Sequence, residues 1–160
     1  MASIHKTVEV KVPIRAAYNQ WTQFEQFPAF MEGIESVQQL DDKRLAWKAK
    51  IGGKTLEWTA VITEQLPDQR IAWRSTSGAQ NDGVVRFEKR QNDLTLVDLT
   101  LEYEPQGGVQ KAGDALGIVE RRVAGDLHRF KDFIERRGSE TGAWRGEIGT
   151  ESEQSPPATR

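Results

Sequence analysis

The sequence predicts an α+β fold in which a curved antiparallel sheet of about seven strands wraps around one long C-terminal helix. The first observation is the order of elements: a strand over residues 4–12, a helical pair over 13–31, a run of strands over 33–104 and a helix over 109–137. The second is that the strands alternate apolar and polar residues, so the sheet has one apolar face to cover. The third is a continuous apolar stripe on the final helix, which suits it to cover that face.

The first strand and the helical pair are indicated by their periodicity. Residues 4–12 alternate with a period of two, which is typical of a half-buried strand. Pro13 stands where a helix can begin, because its fixed φ suits the first helical position. Apolar residues at helical spacing follow, namely Ile14, Ala17, Tyr18, Trp21 and Phe24. Pro28 interrupts this pattern, so we predict two short helices instead of one.

The strands over residues 33–104 are separated by turn sequences. These are Asp41-Asp42-Lys43, Gly52-Gly53, Pro67-Asp68-Gln69, Asn81-Asp82-Gly83 and Gln91-Asn92-Asp93. Their spacing, with no helix-period segment between them, predicts an antiparallel meander of six strands. In the first of these strands Ile34 and Val37 break the alternation, which predicts a β-bulge.

The final helix carries three glycines within its predicted bounds, Gly113, Gly117 and Gly125. Each glycine costs a helix interior about 1 kcal/mol relative to Ala, so a compensating role is expected. One interpretation is close packing of the helix on the sheet, and the other is space for a ligand between the two. Gly138 is expected to end the helix.

We place the domain boundary at Gly138. Residues 1–138 form the predicted ligand-binding domain, and residues 139–160 form a polar, mostly disordered tail. Within the tail, residues 142–148 include Trp144 and Ile148 among polar neighbours. This segment either packs back onto the domain or docks a partner protein.

Composition excludes several classes of function. The 160 residues carry a net charge of −2, so no strong field favours nucleic acid or an anionic membrane. The chain contains no Cys and two His, which leaves neither a thiol nucleophile nor a His-based metal site. We therefore expect no metal, no cofactor and no nucleic-acid partner. No apolar run reaches the length of a membrane span, so we expect a cytoplasmic protein without an integral membrane segment, and we assign no oligomeric state.

No residue pattern indicates catalysis, so no catalytic residue is predicted. His5 lies on the polar face of its strand, and His128 lies off the centre of the apolar stripe. The basic pairs of the final helix, Arg121-Arg122 and Arg136-Arg137, alternate with Glu120, Asp126, Asp132 and Glu135. Such alternation is typical of a solvated helix surface.

Binding residues are predicted on the apolar face of the sheet. Trp47, Trp58 and Trp73 occupy this face on three successive strands, and they are either core residues or a wall on which a ligand packs. Ser75 and Tyr103 are polar residues of the same face that could orient a ligand. The full predicted set is Trp47, Trp58, Trp73, Ser75, Phe87 and Tyr103 from the sheet, Leu116 and Gly117 from the helix, and Phe30 and Met31 at the entrance.

Several segments carry a resemblance to a known family. They are Val8 to Pro13, Tyr18 to Trp21, Phe27 to Gly33, Trp58, Arg70 to Ser75 and Gly125 to Lys131. The chain resembles the START-type helix-grip superfamily (SRPBCC) and, within it, the bacterial polyketide cyclase/dehydrase-like branch. This resemblance implies a seven-stranded sheet that grips the C-terminal helix, and a cavity for hydrophobic ligands such as lipids, quinones or polyketides.

The resemblance does not fix an activity, because one fold hosts carriers as well as enzymes. No catalytic motif of the cyclases carries over onto this chain. We therefore expect binding or carriage of a hydrophobic small molecule between the sheet and the C-terminal helix. The alternative is a cyclase or dehydrase acting on a polyketide-like substrate in the same cavity.

Overall fold

The structure is a computed structural model that describes residues 2–51, 53–78, 80–103 and 112–149. The strands are β1 (Ala2–Val10), β2 (Ile34–Gln39), β3 (Arg44–Ile51), β4 (Lys54–Leu66), β5 (Arg70–Gly78), β6 (Asn81–Gln91) and β7 (Leu94–Tyr103). The helices are α1 (Ile14–Trp21), a short 3₁₀ helix (Phe24–Ala29) and α2 (Ala112–Arg137). Within the described residues, no helix is long and apolar enough to cross a lipid bilayer.

The seven strands form one antiparallel sheet in the order β1-β7-β6-β5-β4-β3-β2. Strands β2 to β7 follow the chain as a meander, and β1 joins the far edge by pairing with β7. The predicted fold class and element order are confirmed. The predicted bulge is also confirmed, because the register of β2 against β3 shifts between Ile34 and Ser36.

The core lies between the concave face of the sheet and α2. The predicted apolar stripe of α2 is buried in its described part, at Val123, Leu127, Phe130 and Ile134. The Phe130 ring meets the rings of Trp21 and Phe30 edge-on, with centroids 5.0 and 5.3 Å away. These contacts join α2 to the helical pair and close one end of the sheet.

The break between the two short helices lies earlier than Pro28, which is a correction to the prediction. Helix α1 ends at Trp21, and Pro28 lies inside the 3₁₀ helix. The Thr22 hydroxyl donates a hydrogen bond to the Asn19 carbonyl at 2.6 Å, and the Thr22 N–H contacts the carbonyls of Tyr18 and Asn19. A threonine that bonds back to the preceding turn competes with helix continuation, so α1 stops there.

Helix α2 ends where the sequence predicts. Gly138 follows the last helical residue with φ +75°, and its N–H donates to the Ile134 carbonyl at 3.1 Å. This left-handed conformation strains residues with a Cβ, which explains glycine at the helix end.

The described residues that follow Gly138 pack against the predicted domain. Ile148 is 3% exposed and exchanges two backbone hydrogen bonds with Gln65 of β4. Arg145 forms an ion pair with Asp68 at 2.8 Å and lies over the Tyr18 ring. The prediction that this segment packs back onto the domain is confirmed, because burying its apolar residues outweighs the polar composition around them.

We predict that Ile148→Ala lowers the free energy of unfolding by about 2–4 kcal/mol, because it removes a fully buried side chain. Leu40→Ala is the matched control, since Leu40 is 49% exposed and should change stability by less than about 0.5 kcal/mol. Urea denaturation of the two variants measures the difference. Equal stability of both variants would show that the segment does not hold to the domain.

Candidate functional site

A cavity of about 280 Å³ lies between the concave face of the sheet and α2. Its wall is mainly apolar, with aromatic side chains from Trp21, Phe24, Phe27, Trp47, Trp58 and Trp73. The polar residues of the wall are Lys54, Gln80, Asn81, Tyr103, Arg122 and Asp126. An apolar cavity with a few polar side chains is the usual form of a small-molecule site.

Half of the predicted binding residues lie in this wall. They are Trp47, Trp58, Trp73, Tyr103 and Met31. The side chains of Leu116 and Gly117 lie outside the described residues, although α2 includes both positions. The described wall of the cavity does not include Phe30, Ser75 or Phe87.

Phe30, Ser75 and Phe87 are each occupied elsewhere in the fold. The Phe87 ring packs against the Tyr18 and Trp21 rings, so α1 covers it. Phe30 packs against Phe130 and Phe133 of α2. The Ser75 hydroxyl accepts a hydrogen bond from the Asn81 N–H at 3.2 Å, and the Ser75 N–H donates to Asp82 at 2.9 Å.

The Ser75 contacts mark a place where two strands separate. Backbone pairing of β5 with β6 joins residues 70–73 to residues 83–86. Past Trp73, side chains of Ser75 and Asp82 make the connection between the two strands. Period-two alternation identifies the face of Ser75, but it does not reveal that the strands part there.

The three sheet tryptophans form the wall through specific neighbours. Trp47 and Trp58 lie opposite each other on β3 and β4, and their rings stack with centroids 5.6 Å apart and planes 9° apart. Trp73 lies opposite Gly83 and donates its ring N–H to the Asn81 side chain at 3.1 Å. A Cβ on Gly83 would lie 2.6 Å from the Trp73 ring, so glycine at this position makes room for the indole.

The polar residues that the sheet contributes to the wall lie at one end of it, which we call the polar end. Lys54 begins β4, Asn81 begins β6 next to Gln80, and Tyr103 ends β7 opposite Asn81. Neighbouring strands run in opposite directions, so the first residues of β4 and β6 and the last residue of β7 lie at the same end of the sheet. Two contacts fix the direction of α2 along β1. The Glu120 carboxylate lies 3.7 Å from the Lys6 Nζ, and the Glu135 carboxylate accepts a hydrogen bond from the Lys11 N–H just past the end of β1. The N-terminal half of α2, with Arg122, therefore lies toward the polar end.

Arg122 and Asp126 are two charged wall residues that are absent from the predicted binding set. The charge pattern predicts a solvated helix surface for both, whereas both are half-buried and line the cavity. Arg121, from the same predicted surface, is exposed. Their spacing in the sequence indicates this position. Arg122 follows Val119 by three residues and Asp126 follows Val123 by three, so both lie beside the apolar stripe of α2.

Asp126 and the neighbouring arginines fasten the loop before β2 to α2. One oxygen of Asp126 accepts hydrogen bonds from the Glu32 N–H at 3.0 Å and from Arg129 at 2.6 Å. Arg129 also donates to the Phe30 carbonyl, and Arg122 donates to the Glu32 carbonyl at 2.9 Å. Gly33 has φ +88°, and a Cβ there would collide with the Arg122 guanidinium. Glycine therefore allows the loop to approach Arg122 closely.

Burial raises the pKa of the Asp126 carboxyl to about 6. Hydrogen bonds from Arg129 and the Glu32 N–H lower the pKa of Asp126, as does the positive charge of Arg122, but burial outweighs them. Burial also raises the pKa of the Tyr103 hydroxyl, with a smaller contribution from the negative charge of Glu120. At neutral pH the wall therefore holds one carboxyl that titrates nearby and one phenol that keeps its proton.

Comparison with known proteins gives a family match and close fold neighbours. A family model described as polyketide cyclase / dehydrase and lipid transport matches residues 10–132. An uncharacterized 17.2 kDa protein of Streptomyces lincolnensis is 47% identical over 149 residues, which cover 92% of this chain and 99% of the relative.

Two solved structures share the fold at low sequence identity. The Zhui aromatase/cyclase of a Streptomyces species superposes with a TM-score of 0.73 at 18% identity, over 89% of this chain and 99% of that one. A START superfamily protein of Mycobacterium smegmatis superposes with a TM-score of 0.71 at 16% identity, over 84% of this chain and 98% of that one. These likenesses confirm the curved sheet and the gripped C-terminal helix.

We predict that Asp126 makes stability depend on pH. Its raised pKa means that the folded state holds the proton more tightly than the unfolded state. This contribution is fully present below about pH 4 and is lost as the pH rises through about 6. The unfolding free energy of the wild type should therefore fall relative to Asp126→Asn between these values, by up to about 2–3 kcal/mol.

Urea denaturation of both proteins at acidic and neutral pH measures this difference. Asp132→Asn is the control, because it removes an exposed carboxylate from the same helix. If the difference between wild type and Asp126→Asn does not change with pH, then burial does not control the Asp126 carboxyl.

Proposed function

The chain belongs to the polyketide cyclase/dehydrase and lipid transport family, and we propose that it binds or carries a hydrophobic small molecule in the cavity between the sheet and α2. Family and fold together indicate a ligand-binding domain of the START-like type. The ligand classes that we propose are a lipid, a quinone or a polyketide-like molecule.

The observation that supports this proposal is the apolar cavity itself. Protein interiors are close-packed and contain few voids larger than a water molecule. A cavity of about 280 Å³ lined by aromatic rings leaves those rings without packing partners on one side. A hydrophobic ligand would supply the missing contacts and gain about 25 cal/mol for each Å² of apolar surface that it buries.

The site that we propose combines predicted residues with residues found in the wall. Trp47, Trp58, Trp73 and Met31 would contact the apolar part of the ligand, and Tyr103 would orient it. Arg122 and Asp126 join this set. Phe30, Ser75 and Phe87 support the surrounding structure in this proposal, and Leu116 and Gly117 stay predictions for the first part of α2.

We predict that Val119→Trp weakens ligand binding at least about tenfold, because a large ring at this half-buried wall position fills the cavity. The probe is phenylnaphthylamine, an uncharged fluorophore whose emission rises in apolar surroundings. His128→Trp is the control, since His128 is exposed on the same helix and receives the same ring. Saturable probe binding by the wild type and the control, but not by Val119→Trp, is the expected result.

Two results would count against the proposed function. Failure of the wild type to bind the probe would remove the cavity as a hydrophobic site. Equal affinity of Val119→Trp and wild type would place the bound probe elsewhere on the protein. Circular dichroism of each variant shows whether the fold is retained.

A second candidate function is a cyclase or dehydrase reaction, which one observation favours. Asp126 lies in the wall with a pKa of about 6, so it could accept and return a proton near neutral pH. The resemblance of the fold to an aromatase/cyclase is compatible with this candidate. Such a reaction needs a carbonyl-bearing substrate whose acidic C–H lies within reach of the carboxylate.

Turnover of a poly-β-ketone thioester tests the enzymatic candidate. If Asp126 moves the proton, Asp126→Asn should lower the rate by about 100-fold and remove a pH dependence centred near 6. Asp132→Asn, on the exposed side of α2, should react like the wild type. No turnover by the wild type would leave the binding function alone, and equal rates in Asp126→Asn would exclude Asp126 from the reaction.

A further inference from the structure

Resting on the proposed function, we infer that the bound molecule is an amphiphile with an oxygen acceptor, a carbonyl or a carboxylate, which faces Arg122 while its apolar part fills the cavity. The recognition chemistry is an oxygen that accepts hydrogen bonds from N–H and O–H groups of the wall. The observations concern unpaired donors, charge and the position of the polar residues.

The wall contains buried donors that have no protein partner. The ring N–H of Trp47, the Nε–H of Arg122 and the hydroxyl of Tyr103 are all buried, with no hydrogen-bond partner among the described residues. The two nitrogens can only donate. Because an unpaired buried polar group costs about 1–3 kcal/mol, a ligand oxygen that reaches one of these donors would be bound preferentially.

Two acceptor oxygens of the wall, in contrast to these donors, already have hydrogen-bond partners. The side-chain oxygen of Asn81 accepts the Trp73 ring N–H, and one oxygen of Asp126 accepts two hydrogen bonds. In the described wall, no buried atom that can only accept is left without a partner. Among the described residues, the unpaired buried groups of the wall are therefore all donors, which favours a carbonyl or carboxylate over an amine.

The charges of the wall favour the same ligand class. Arg122 donates one N–H to the neutral Glu32 carbonyl, and among the described residues it forms no ion pair within 4.0 Å. Lys54 adds a second positive charge at the polar end, again without an ion pair in the described structure. The positive charge of Arg122 lowers the pKa of the Asp126 carboxyl, so the two groups interact. A negative charge on Asp126 therefore offsets part of the positive charge of Arg122.

The arrangement of the wall sets the orientation of the ligand. Lys54, Gln80, Asn81 and Tyr103 lie at the polar end, with Arg122 on the facing helix. Aromatic rings of the helical pair and the sheet line the rest of the cavity. A molecule with one oxygen-bearing end would place it at the polar end and bury its chain or rings among the aromatics.

Competition among matched compounds tests this inference. Decanoic acid, the methyl ketone of equal length, decane and decylamine each compete with phenylnaphthylamine on the wild-type protein. The acid or the ketone should displace the probe at a concentration at least about tenfold lower than the amine and the hydrocarbon. This difference is expected when a ligand oxygen accepts a hydrogen bond from a buried donor that is otherwise unpaired. If the acid displaces the probe at a lower concentration than the ketone, the ligand is a carboxylate. If the acid and the ketone displace it at equal concentrations, the ligand is a carbonyl compound.

An amine that competes as well as the acid and the ketone would overturn the inference, while probe binding would still support the proposed function. Failure of the probe to bind would instead count against the proposed function. The two failures are therefore distinguishable in one titration series.

Variants locate the oxygen. Arg122→Lys keeps the charge but removes the Nε–H, and Tyr103→Phe removes the hydroxyl while keeping an aromatic side chain. Each should reduce the preference for the acid or ketone over decane to less than about threefold. Arg121→Lys, at the exposed neighbouring position, should keep the full preference. If both wall variants keep the wild-type preference, the oxygen does not face Arg122.

Discussion

The packing of α2 against the concave face of the sheet is the interaction on which the rest of the structure depends. The sheet has seven strands with one apolar face, and Phe130 and Ile134 of α2 are completely buried against it. Around Phe130 the rings of Trp21 and Phe30 complete the packing. One helix is narrower than the curved sheet, so contact at one end leaves enclosed space toward the other.

The same helix supplies both the packing and the chemistry of that space. Val119, Val123 and Leu127 line the cavity from the centre of the stripe, while Arg122 and Asp126 line it from the flank. Through hydrogen bonds to the loop before β2, these charged residues also hold that loop against the helix. Since Met31 and Ile34 on either side of the loop line the cavity, the position of the loop shapes the cavity wall.

Much of the fold follows from local patterns in the sequence. Alternation identifies the inward face of each strand, and helical spacing identifies the buried stripe of α2. Four of the five predicted turn sequences divide the meander, whereas Asn81-Asp82-Gly83 is wrong as a turn because these residues begin β6. The period-two pattern places Trp47, Trp58 and Trp73 on the inward face of the sheet, and all three line the cavity. These features depend on neighbours along the chain, so the sequence alone suffices for them.

The features that the sequence did not reveal depend on contacts distant in the chain. Whether Arg122 meets solvent or a cavity depends on the loop at Gly33, which is positioned by another element. Phe87 faces inward as predicted, yet α1 covers it and removes it from the cavity. Ile148 is held by backbone hydrogen bonds to Gln65, a pairing that has no local signal in the sequence.

Four of the five tryptophans, Trp21, Trp47, Trp58 and Trp73, border the cavity, and the fifth, Trp144, is half-buried against the core. Most of the indoles that absorb in the near ultraviolet therefore lie in the interior, without any attached dye. The parallel rings of Trp47 and Trp58 are close enough for their electronic transitions to couple. Near-ultraviolet dichroism therefore depends on their mutual geometry, so a displacement of either ring would change this signal.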